Sequence, residues 1–318
     1  MKVLLTGAEG QLGRCFKERC IDHTLIALNR SELDISDPGA VCAALARHQP
    51  DLVVNAAAYT AVDRAEQQPD LAFAVNQAGP ENLALACVEH GIALIHISTD
   101  FVFDGAAASP ATSGASSRAT SAATSAATSA YTPDSPVNPL GVYGQSKWLG
   151  EEAVRRTLDK HLIIRTAWVF SEYGNNFVKT MLRLGAERGQ LSVVDDQRGC
   201  PTYAGHLADA LLALLPRVQQ PDFKDWGTQH FAGDKVVSWQ QFAEAIFSEA
   251  QALGVIKSIP KVLPISTAQY PTPAKRPAYS VLDSSGLERL LQEDFENNWQ
   301  QGLRLVLAKL SKLSKLSD

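Results

Sequence analysis

The chain has 318 residues, which is enough for one large α/β domain or two smaller domains. Its 29 basic and 34 acidic residues give a net charge of −5, and the absence of a basic stripe argues against a nucleic-acid partner. No apolar run approaches the ~18 residues of a membrane span, and the N-terminus reads as a first strand rather than as a secretory signal. Five cysteines without a CxxC pair suit reduced thiols, so we expect a cytoplasmic protein without a membrane partner. The seven histidines form no HExxH motif, and we predict no metal ligand among them.

Short apolar segments alternate with helical segments along the first half of the chain. Strands are predicted at residues 2–5, 25–28, 52–55, 93–98 and 162–165. Helices are predicted from about Gln11, at 41–48 and at 71–89. The strands are apolar throughout, which is typical of a sheet with helices on both faces. The pattern therefore predicts an α/β fold with a Rossmann-type, doubly wound parallel sheet.

The pattern becomes less regular after Phe170. Helices are predicted at residues 175–189, 203–215 and 238–252, and Ser238 and Gln241 have the spacing of a capping box. We predict a dinucleotide-binding domain over residues 1–170. Residues 171–318 are expected to form mainly a smaller, mixed α/β substrate-binding domain, parts of which can return to the first sheet.

Residues 106–130 form a low-complexity insertion of Ala, Ser, Thr, Gly and Pro with one Arg. This segment has no large apolar group to bury, so burial cannot offset the entropy lost on ordering it. We interpret it as a surface insertion. Because it lies between two of the motifs described below, a lid or a partner-binding arm stays open as the alternative.

The stretch TGAEGQLG places Gly7, Gly10 and Gly13 between a predicted strand and a predicted helix. In this context glycines allow a close approach of the backbone to a pyrophosphate, and the helix N-terminus supplies N–H groups. The spacing is GxxGxxG, and the segment from Gly7 to Gly13 includes Gln11 and Leu12. We therefore predict a nicotinamide dinucleotide at this turn.

The second strand is followed by Asn29 and Arg30 where many dinucleotide sites carry an acidic residue. A guanidinium can pair with the 2′-phosphate of NADPH, so we favour NADPH, and NADH stays the alternative. Further candidates for the cofactor site follow the second and third strands: Asp34, Ile35, Ala56, Ala57, Ala58 and Tyr59.

Two motifs point to carbonyl chemistry. The stretch HISTDFVFDG places Ser98, Thr99 and Asp100 at the carboxyl end of a predicted strand, where ligands of parallel sheets bind. Tyr143 and Lys147 lie four residues apart and share one face of a helix. A nearby ammonium lowers the pKa of a phenol, so we expect Tyr143 to act as a general acid toward a carbonyl. Lys147 would also bind the nicotinamide ribose.

Seven motifs together resemble the dTDP-4-dehydrorhamnose reductase family of extended short-chain dehydrogenases/reductases: GAEGQLG, NAAAYTAVDRAE, ISTDFVFDG, NPLGVYGQSK, RTAWVF, DDQRGCPTYAGHLAD and RPAYSVLD. The resemblance covers nearly the whole chain except the insertion and the tail. It implies a catalytic trio of Thr99, Tyr143 and Lys147. It also implies the following contacts for the nucleotide-sugar: Val62, Asp63, Thr99, Asp100, Trp168 and Arg276.

The activity that this resemblance implies is the NADPH-dependent reduction of the 4-keto group of dTDP-4-dehydro-L-rhamnose. It also allows a homodimer and a requirement for Mg²⁺. A 4,6-dehydratase carries Asp-Glu after the threonine, whereas this chain has Asp100-Phe101, and no extra proton-transfer residues of an epimerase-reductase are evident. A non-catalytic, dinucleotide-binding regulatory subunit shares the same motifs, so it stays the alternative.

Overall fold

The computed structural model describes residues 1–106, 129–291 and 295–315. Residues 107–128 of the predicted insertion 106–130 therefore lie outside the described residues. The strands in the described part of the chain are β1 (Lys2–Thr6), β2 (Thr24–Leu28), β3 (Leu52–Asn55), β4 (Ala93–Thr99), β5 (His161–Thr166), β6 (Val169–Phe170), β7 (Gln190–Val194), β8 (Arg198–Gly199), β9 (Thr202–Tyr203), β10 (Gly227–Phe231), β11 (Val237–Ser238) and β12 (Lys261–Ile265).

The same residues form α-helices of four to seventeen residues. They are α1 (Gln11–Arg19), α2 (Pro38–His48), α3 (Val62–Ala65), α4 (Pro69–Phe73), α5 (Gly79–His90), α6 (Val142–Thr157), α7 (Phe177–Glu187), α8 (Ala204–Val218), α9 (Trp239–Ala252), α10 (Ser285–Leu291) and α11 (Trp299–Lys315). A π-helical segment, Ala74–Ala78, joins α4 to α5, and 3₁₀ turns lie at Asp100–Val102 and Thr267–Gln269.

Within the described residues, six strands form one parallel sheet in the order β10-β5-β4-β3-β1-β2. In this order β2 lies on one side of β1, and β3 lies on the other side. A parallel sheet binds its ligands where the strand order reverses in this way, outside the carboxyl ends of the strands. The predicted doubly wound α/β fold is confirmed, and its switch point lies between β1 and β3.

Two apolar layers explain why the sheet strands carry few polar residues. Successive residues of a strand point to opposite faces. Val3 and Leu5 pack with Phe16 on one face, whereas Leu4 packs with Leu45 on the other. All of these side chains are fully buried. Helices cover both faces of the sheet, so both sets of side chains must be apolar.

The segment predicted as one helix at residues 71–89 contains a π-helical interruption at Ala74–Ala78. Asn76 lies in this interruption and is fully buried, with its amide bonded to both backbone groups of Tyr59. Helix α6 packs so closely that a Cβ atom on Gly150 would lie 2.0 Å from the Asn76 carbonyl oxygen. The extra residue per turn thus aims a polar side chain inward, a feature often found at functional sites.

The second half of the chain contributes to two structures. Strand β10 pairs with β5 and extends the main sheet. The short strand pairs β7–β12, β8–β11 and β6–β9 lie apart from it and share an apolar cluster with α7, α9 and α11. Helix α9 begins with the predicted capping box of Ser238 and Gln241. The domain boundary near residue 170 stays a prediction.

Candidate active site

A cleft of about 790 Å³ runs along the carboxyl edge of the sheet at the switch point. Most of the residues singled out from the sequence line it: Gly7, Gly10, Gln11, Leu12, Asn29, Arg30, Asp34, Ile35, Ala56, Ala57, Ala58, Tyr59, Val62, Thr99, Asp100, Tyr143, Lys147 and Trp168. Gly13, Asp63 and Arg276 are outside this lining. One cleft therefore brings the predicted cofactor turn and the predicted catalytic residues together.

The glycine turn leaves no room for side chains. Gly7 has a φ of +66°, and a Cβ atom there would lie 2.6 Å from the backbone of Ala56. A Cβ atom on Gly13 would lie 2.3 Å from the Gly7 carbonyl oxygen, so this glycine packs α1 against the turn instead of lining the cleft. Gly10 is the N-cap of α1, and no described side chain caps this helix. The unbonded N–H groups of its first turn suit an anion such as a pyrophosphate.

Arg30 lies at the end of the cleft where β2 terminates. Its side chain is 72% exposed, and Nε lies 3.8 Å from Asp34 Oδ2. The hydrogen bond from Ser36 holds the pKa of Asp34 below its usual value, so this carboxyl is an anion at neutral pH. Arg30 thus presents a weakly paired cation to the cleft.

Asn76 fixes the wall of the cleft that follows β3. Its Oδ1 accepts from the N–H of Tyr59 at 2.8 Å, and its Nδ2 donates to the Tyr59 carbonyl at 3.0 Å. Nδ2 also donates to the hydroxyl of Ser146 on α6, at 3.1 Å. This buried amide therefore links the Ala58–Tyr59 backbone to the helix that carries Tyr143 and Lys147.

Thr99, Asp100 and Tyr143 form one hydrogen-bonded group at the carboxyl end of β4. The hydroxyl of Thr99 donates to Asp100 Oδ1 at 3.0 Å and is also hydrogen-bonded to Tyr143. Burial raises the pKa of Asp100 to about 6, against the hydrogen bonds that it accepts from Ser280 and Thr99. The three polar groups thus meet in the cleft at the carboxyl end of β4.

The pKa of Tyr143 differs from the expectation that Lys147 lowers it. Burial raises this pKa to about 12, the hydrogen bond with Thr99 acts in the lowering direction, and the charge of Asp100 raises it further. The amine of Lys147 instead donates to the carbonyl oxygen of Ile97 at 2.7 Å. The spacing of four positions on the helix places both groups in the cleft, but it does not direct the ammonium of Lys147 toward the phenol of Tyr143.

Lys147 is only 2% exposed, and burial lowers the pKa of its amine to about 8, whereas the charge of Glu151 raises it. None of the ion pairs found among the described residues includes Lys147. Its second neighbour is His96, whose Nε2 lies 3.4 Å from Nζ. A buried amine with a depressed pKa in a cleft is a feature of functional sites.

Trp168 has a left-handed backbone, with a φ of +47°. Its indole stacks on Trp239 with ring centroids 3.6 Å apart and an interplanar angle of 8°. A Cβ atom on Gly199 would lie 2.5 Å from the Trp168 ring, so only glycine fits there. A non-glycine residue at positive φ costs roughly 1–3 kcal/mol, and such strain concentrates at functional sites.

Asp63 and Arg276 contact each other. Arg276 donates to both carboxylate oxygens of Asp63, at 2.8 and 3.2 Å. This bond holds the pKa of Asp63 below its usual value. The structure therefore joins the two residues that were assigned to the substrate, but outside the lining of the main cleft.

The sequence reasoning missed several residues that line the cleft. Thr166 is the last residue of β5 and Ala167 follows it, and Leu33, Thr60 and Val75 also line the cleft. The rule that identified Thr99, a polar residue at the carboxyl end of a parallel strand, could also have found Thr166 in RTAWVF. No local signal marks Trp239, because it lies 71 residues from Trp168 along the chain.

Among residues 1–106, 129–291 and 295–315, no group of three or more His, Cys, Asp or Glu side chains could hold a metal ion. The structure therefore gives the Mg²⁺ expectation no support. No helix of these same ranges is both long and apolar enough to cross a bilayer.

The family model described as "RmlD substrate binding domain" matches residues 1–312. The chain is 40% identical over 310 residues to the dTDP-4-dehydrorhamnose reductase of Aggregatibacter actinomycetemcomitans, covering 96% of this chain and 98% of that one. The chain belongs to the dTDP-4-dehydrorhamnose reductase family.

Solved structures of this family superimpose over almost the whole chain. The dTDP-4-dehydrorhamnose reductase of Clostridium acetobutylicum gives a TM-score of 0.84 at 36% identity and covers 98% of this chain and 100% of its own. The Bacillus anthracis enzyme, solved in complex with NADP, gives 0.83 at 34% identity, over 97% and 99% of the two chains. The fold is thus that of this reductase family.

Proposed function

We propose that this protein is an NADPH-dependent oxidoreductase that reduces the 4-keto group of dTDP-4-dehydro-L-rhamnose to give dTDP-L-rhamnose. The main support is that Thr99, Tyr143 and Lys147 line the same cleft as the glycine turn. Family membership over nearly the full chain supports the substrate class, a nucleotide-sugar.

The glycine turn fits a dinucleotide on structural grounds. Any side chain at Gly7 or Gly13 would collide with the neighbouring backbone, so the turn keeps its close-packed shape only with glycine. The N-terminus of α1 has no side-chain cap. The side-chain oxygen of Gln11 already accepts hydrogen bonds from Ser171 at 3.0 Å and from Asn176 at 2.9 Å. Backbone N–H groups would therefore hold the pyrophosphate.

A dihydronicotinamide bound beside the glycine turn would supply the hydride that reduces the carbonyl carbon. Tyr143 donates its hydroxyl proton to the carbonyl oxygen, which becomes the hydroxyl of the product. Thr99 orients this oxygen and the phenol through its own hydroxyl, which already bonds Tyr143. Lys147, whose amine donates to the Ile97 carbonyl, is proposed to bind the nicotinamide ribose in its ammonium form.

Arg30 is our candidate for the selection of NADPH over NADH. Its exposed guanidinium has only the 3.8 Å contact with Asp34 to compete with a phosphate. Asp34 works against this preference because its carboxylate repels a 2′-phosphate. The proposal is that Arg30 outweighs Asp34, since a guanidinium can bond a phosphate at two points.

Two aromatic and charged groups are proposed for the nucleotide-sugar. Trp168 offers a rigid ring at the cleft, because Trp239 supports it from behind. Arg276 is proposed to bind the diphosphate, with Asp63 holding its guanidinium in place. The assignments of Trp168 and Arg276 to the nucleotide-sugar stay predictions. The homodimer and the cytoplasmic location also stay predictions.

The test is a reduction assay with purified protein, NADPH and dTDP-4-dehydro-L-rhamnose. We expect loss of the NADPH absorbance together with one equivalent of dTDP-L-rhamnose, identified by chromatography against a standard. Binding of NADPH without turnover would contradict the reductase proposal and favour the regulatory subunit. The same assay with NADH gives the cofactor preference.

A further inference from the structure

A chain of buried polar groups reaches Lys147 from inside the sheet. Thr6 on β1 donates to Asn55 Oδ1 on β3 at 2.6 Å, and Asn55 Nδ2 lies 3.0 Å from Nδ1 of His96 on β4. His96 Nε2 in turn lies 3.4 Å from Nζ of Lys147 on α6. All four side chains are at most 2% exposed, so water does not compete for these bonds.

The orientation of the Asn55 amide follows from its neighbours. The backbone N–H of Ala57 lies 3.1 Å from Asn55 Oδ1 and can only donate. The atom that faces Ala57 and Thr6 is therefore the oxygen, and the other end of the amide is the NH₂ group. That NH₂ group donates to His96, so Nδ1 of His96 must be an acceptor.

One protonation state of His96 satisfies this arrangement. Burial lowers the pKa of His96 well below its usual value, so the ring is neutral. A neutral imidazole that accepts at Nδ1 carries its proton on Nε2. The Nε2–H group then points at the amine of Lys147. An ammonium group has no lone pair to accept this bond, whereas a neutral amine has one.

The other charges near Lys147 do not pair with it directly. Glu151 lies one helical turn further along α6, but its carboxylate already accepts from Ser98, Arg155 and Arg165. The other titratable groups on α6, β4 and β5 are the following: Tyr143, Glu151, Glu152, Arg155 and Arg156 on α6, His96 on β4, and His161 and Arg165 on β5, with Asp100 directly after β4. The π-helical segment Ala74–Ala78 contributes none.

We propose that His96, held by Asn55 in its Nε2–H tautomer, is a positioning residue that favours the neutral amine of Lys147 and thereby sets the alkaline limit of the reduction. This proposal rests on the proposed function. The ammonium form of Lys147 is the active one, so activity falls as the pH rises through the pKa of this amine. The His96 ring moves that pKa downward because a donor faces a donor whenever Lys147 is protonated.

The tautomer of His96 can be measured by NMR without an assay of enzyme activity. Long-range ¹H–¹⁵N spectra of histidine-labelled protein, with His96→Phe for assignment, distinguish the two ring nitrogens. We expect a protonated Nε2 and an unprotonated Nδ1 at neutral pH. The His96 signals should also shift near pH 8, where the pKa of Lys147 lies, and not near the ordinary histidine pKa. A protonated Nδ1, or an imidazolium at neutral pH, would overturn the proposal whether or not the protein is a reductase.

Asn55→Asp tests the link to Lys147. A carboxylate in place of the amide accepts from His96 at Nδ1, so the proton leaves Nε2, which can then accept from the Lys147 ammonium. We expect the alkaline limit of kcat/KM to rise by about one pH unit, a tenfold change in proton affinity. Thr6→Val is the control, because it leaves the Asn55–His96 pair and should leave the limit unchanged.

The outcomes separate the two proposals. If Asn55→Asp moves the proton to Nδ1 and the alkaline limit stays where it was, His96 does not govern Lys147 and the inference fails. If the wild-type protein does not reduce the substrate, the proposed function fails, while the spectra still decide the tautomer. Should Asn55→Asp not fold, the pH titration of the wild-type His96 signals still decides whether this ring senses Lys147.

Discussion

Glu151 and Arg165 form a two-point ion pair that is completely buried between α6 and the sheet. Arg165 Nη2 lies 2.7 Å from Glu151 Oε2, and Nε lies 3.0 Å from Oε1. Burial raises the pKa of Glu151, but the hydrogen bond and the charge of Arg165 outweigh it and hold the pKa below its usual value. Ser98 donates to the same carboxylate, so the pair joins the end of β4 to the helix of Tyr143 and Lys147.

Removing the Glu151 charge should destabilise the protein strongly. Glu151→Gln leaves the buried guanidinium of Arg165 without a counter-charge, and breaking a buried pair in this way costs about 3–5 kcal/mol. Glu152→Gln is the matched control, since its pair with Arg155 is part-exposed and worth no more than about 1 kcal/mol. Urea unfolding at neutral pH gives both free energies. Equal losses in the two variants would contradict the view that burial makes the Glu151–Arg165 pair decisive.

Tyr143→Phe should abolish most of the reductase activity. Loss of a general acid lowers kcat by roughly 10²–10⁴-fold, while NADPH binding, measured by fluorescence, should stay nearly unchanged. Thr99→Val should lower kcat less, because it removes a hydrogen bond to the acid and not the acid itself. Tyr270→Phe, at a site that is 60% exposed, controls for the loss of a phenol elsewhere. Full turnover by Tyr143→Phe would mean that another group donates the proton.

The fold could be predicted because each strand and helix of the sheet leaves a recognisable pattern in its own short stretch of sequence. Apolar strands and a glycine turn before a helix fix the sheet and its switch point. The π-helical segment could not be predicted, because Asn76 is turned inward by partners at Tyr59 and Ser146 that are distant in sequence. By contrast, the spacing of Tyr143 and Lys147 along the helix correctly predicted that both residues line one cleft.

The electrostatics of the site could not be predicted in this way. Spacing of four residues on a helix suggested that Lys147 acidifies Tyr143. The buried carbonyl of Ile97 instead binds the amine, and burial raises the pKa of Tyr143 to about 12. A pKa depends on the three-dimensional environment of a group, which no helical spacing specifies. Arg276 shows the same limit, because its pairing with Asp63 spans more than two hundred residues.

Arg30→Ala should change the cofactor preference. Without the guanidinium, Asp34 is left to repel the 2′-phosphate, so we expect KM for NADPH to rise about tenfold or more. KM for NADH should change little, because NADH has no phosphate at this position. Steady-state kinetics with both cofactors measures the ratio. Raised salt should weaken NADPH binding more in the wild type than in the variant, since Arg30 is exposed. An unchanged ratio would remove Arg30 from the cofactor site.

Arg276→Ala should weaken binding of the nucleotide-sugar. If its guanidinium binds the diphosphate, KM for the substrate rises about tenfold to a hundredfold, and KM for NADPH does not. Arg276→Lys should restore only part of the loss, because an ammonium cannot bond at two points. Arg183→Ala, which removes an exposed pair with Glu187, is the control. A rise in KM for NADPH instead would place Arg276 on the cofactor.

Asp100→Asn should stabilise the protein at alkaline pH. Burial raises the folded-state pKa of Asp100 to about 6, above its unfolded value. The folded state therefore holds this proton more tightly, and the wild type loses stability as the pH rises from about 4 through about 6. A hundredfold difference in proton affinity between the folded and unfolded states corresponds to roughly 3 kcal/mol in the free energy of unfolding. The wild type loses this stability when Asp100 ionises, and the Asp100→Asn variant does not.

The pH dependence distinguishes this effect from a simple repacking. The gain from Asp100→Asn should be largest near pH 8 and should vanish near pH 4, when urea unfolding is compared at the two values. Asp63→Asn provides the opposite sign, because the Arg276 hydrogen bond lowers the pKa of Asp63, so its replacement removes stability present above pH 4. A gain of the same size at both pH values would show that the carboxyl is not strained by burial. A carboxyl that costs stability at neutral pH and lies against Thr99 is expected to be retained for the reaction.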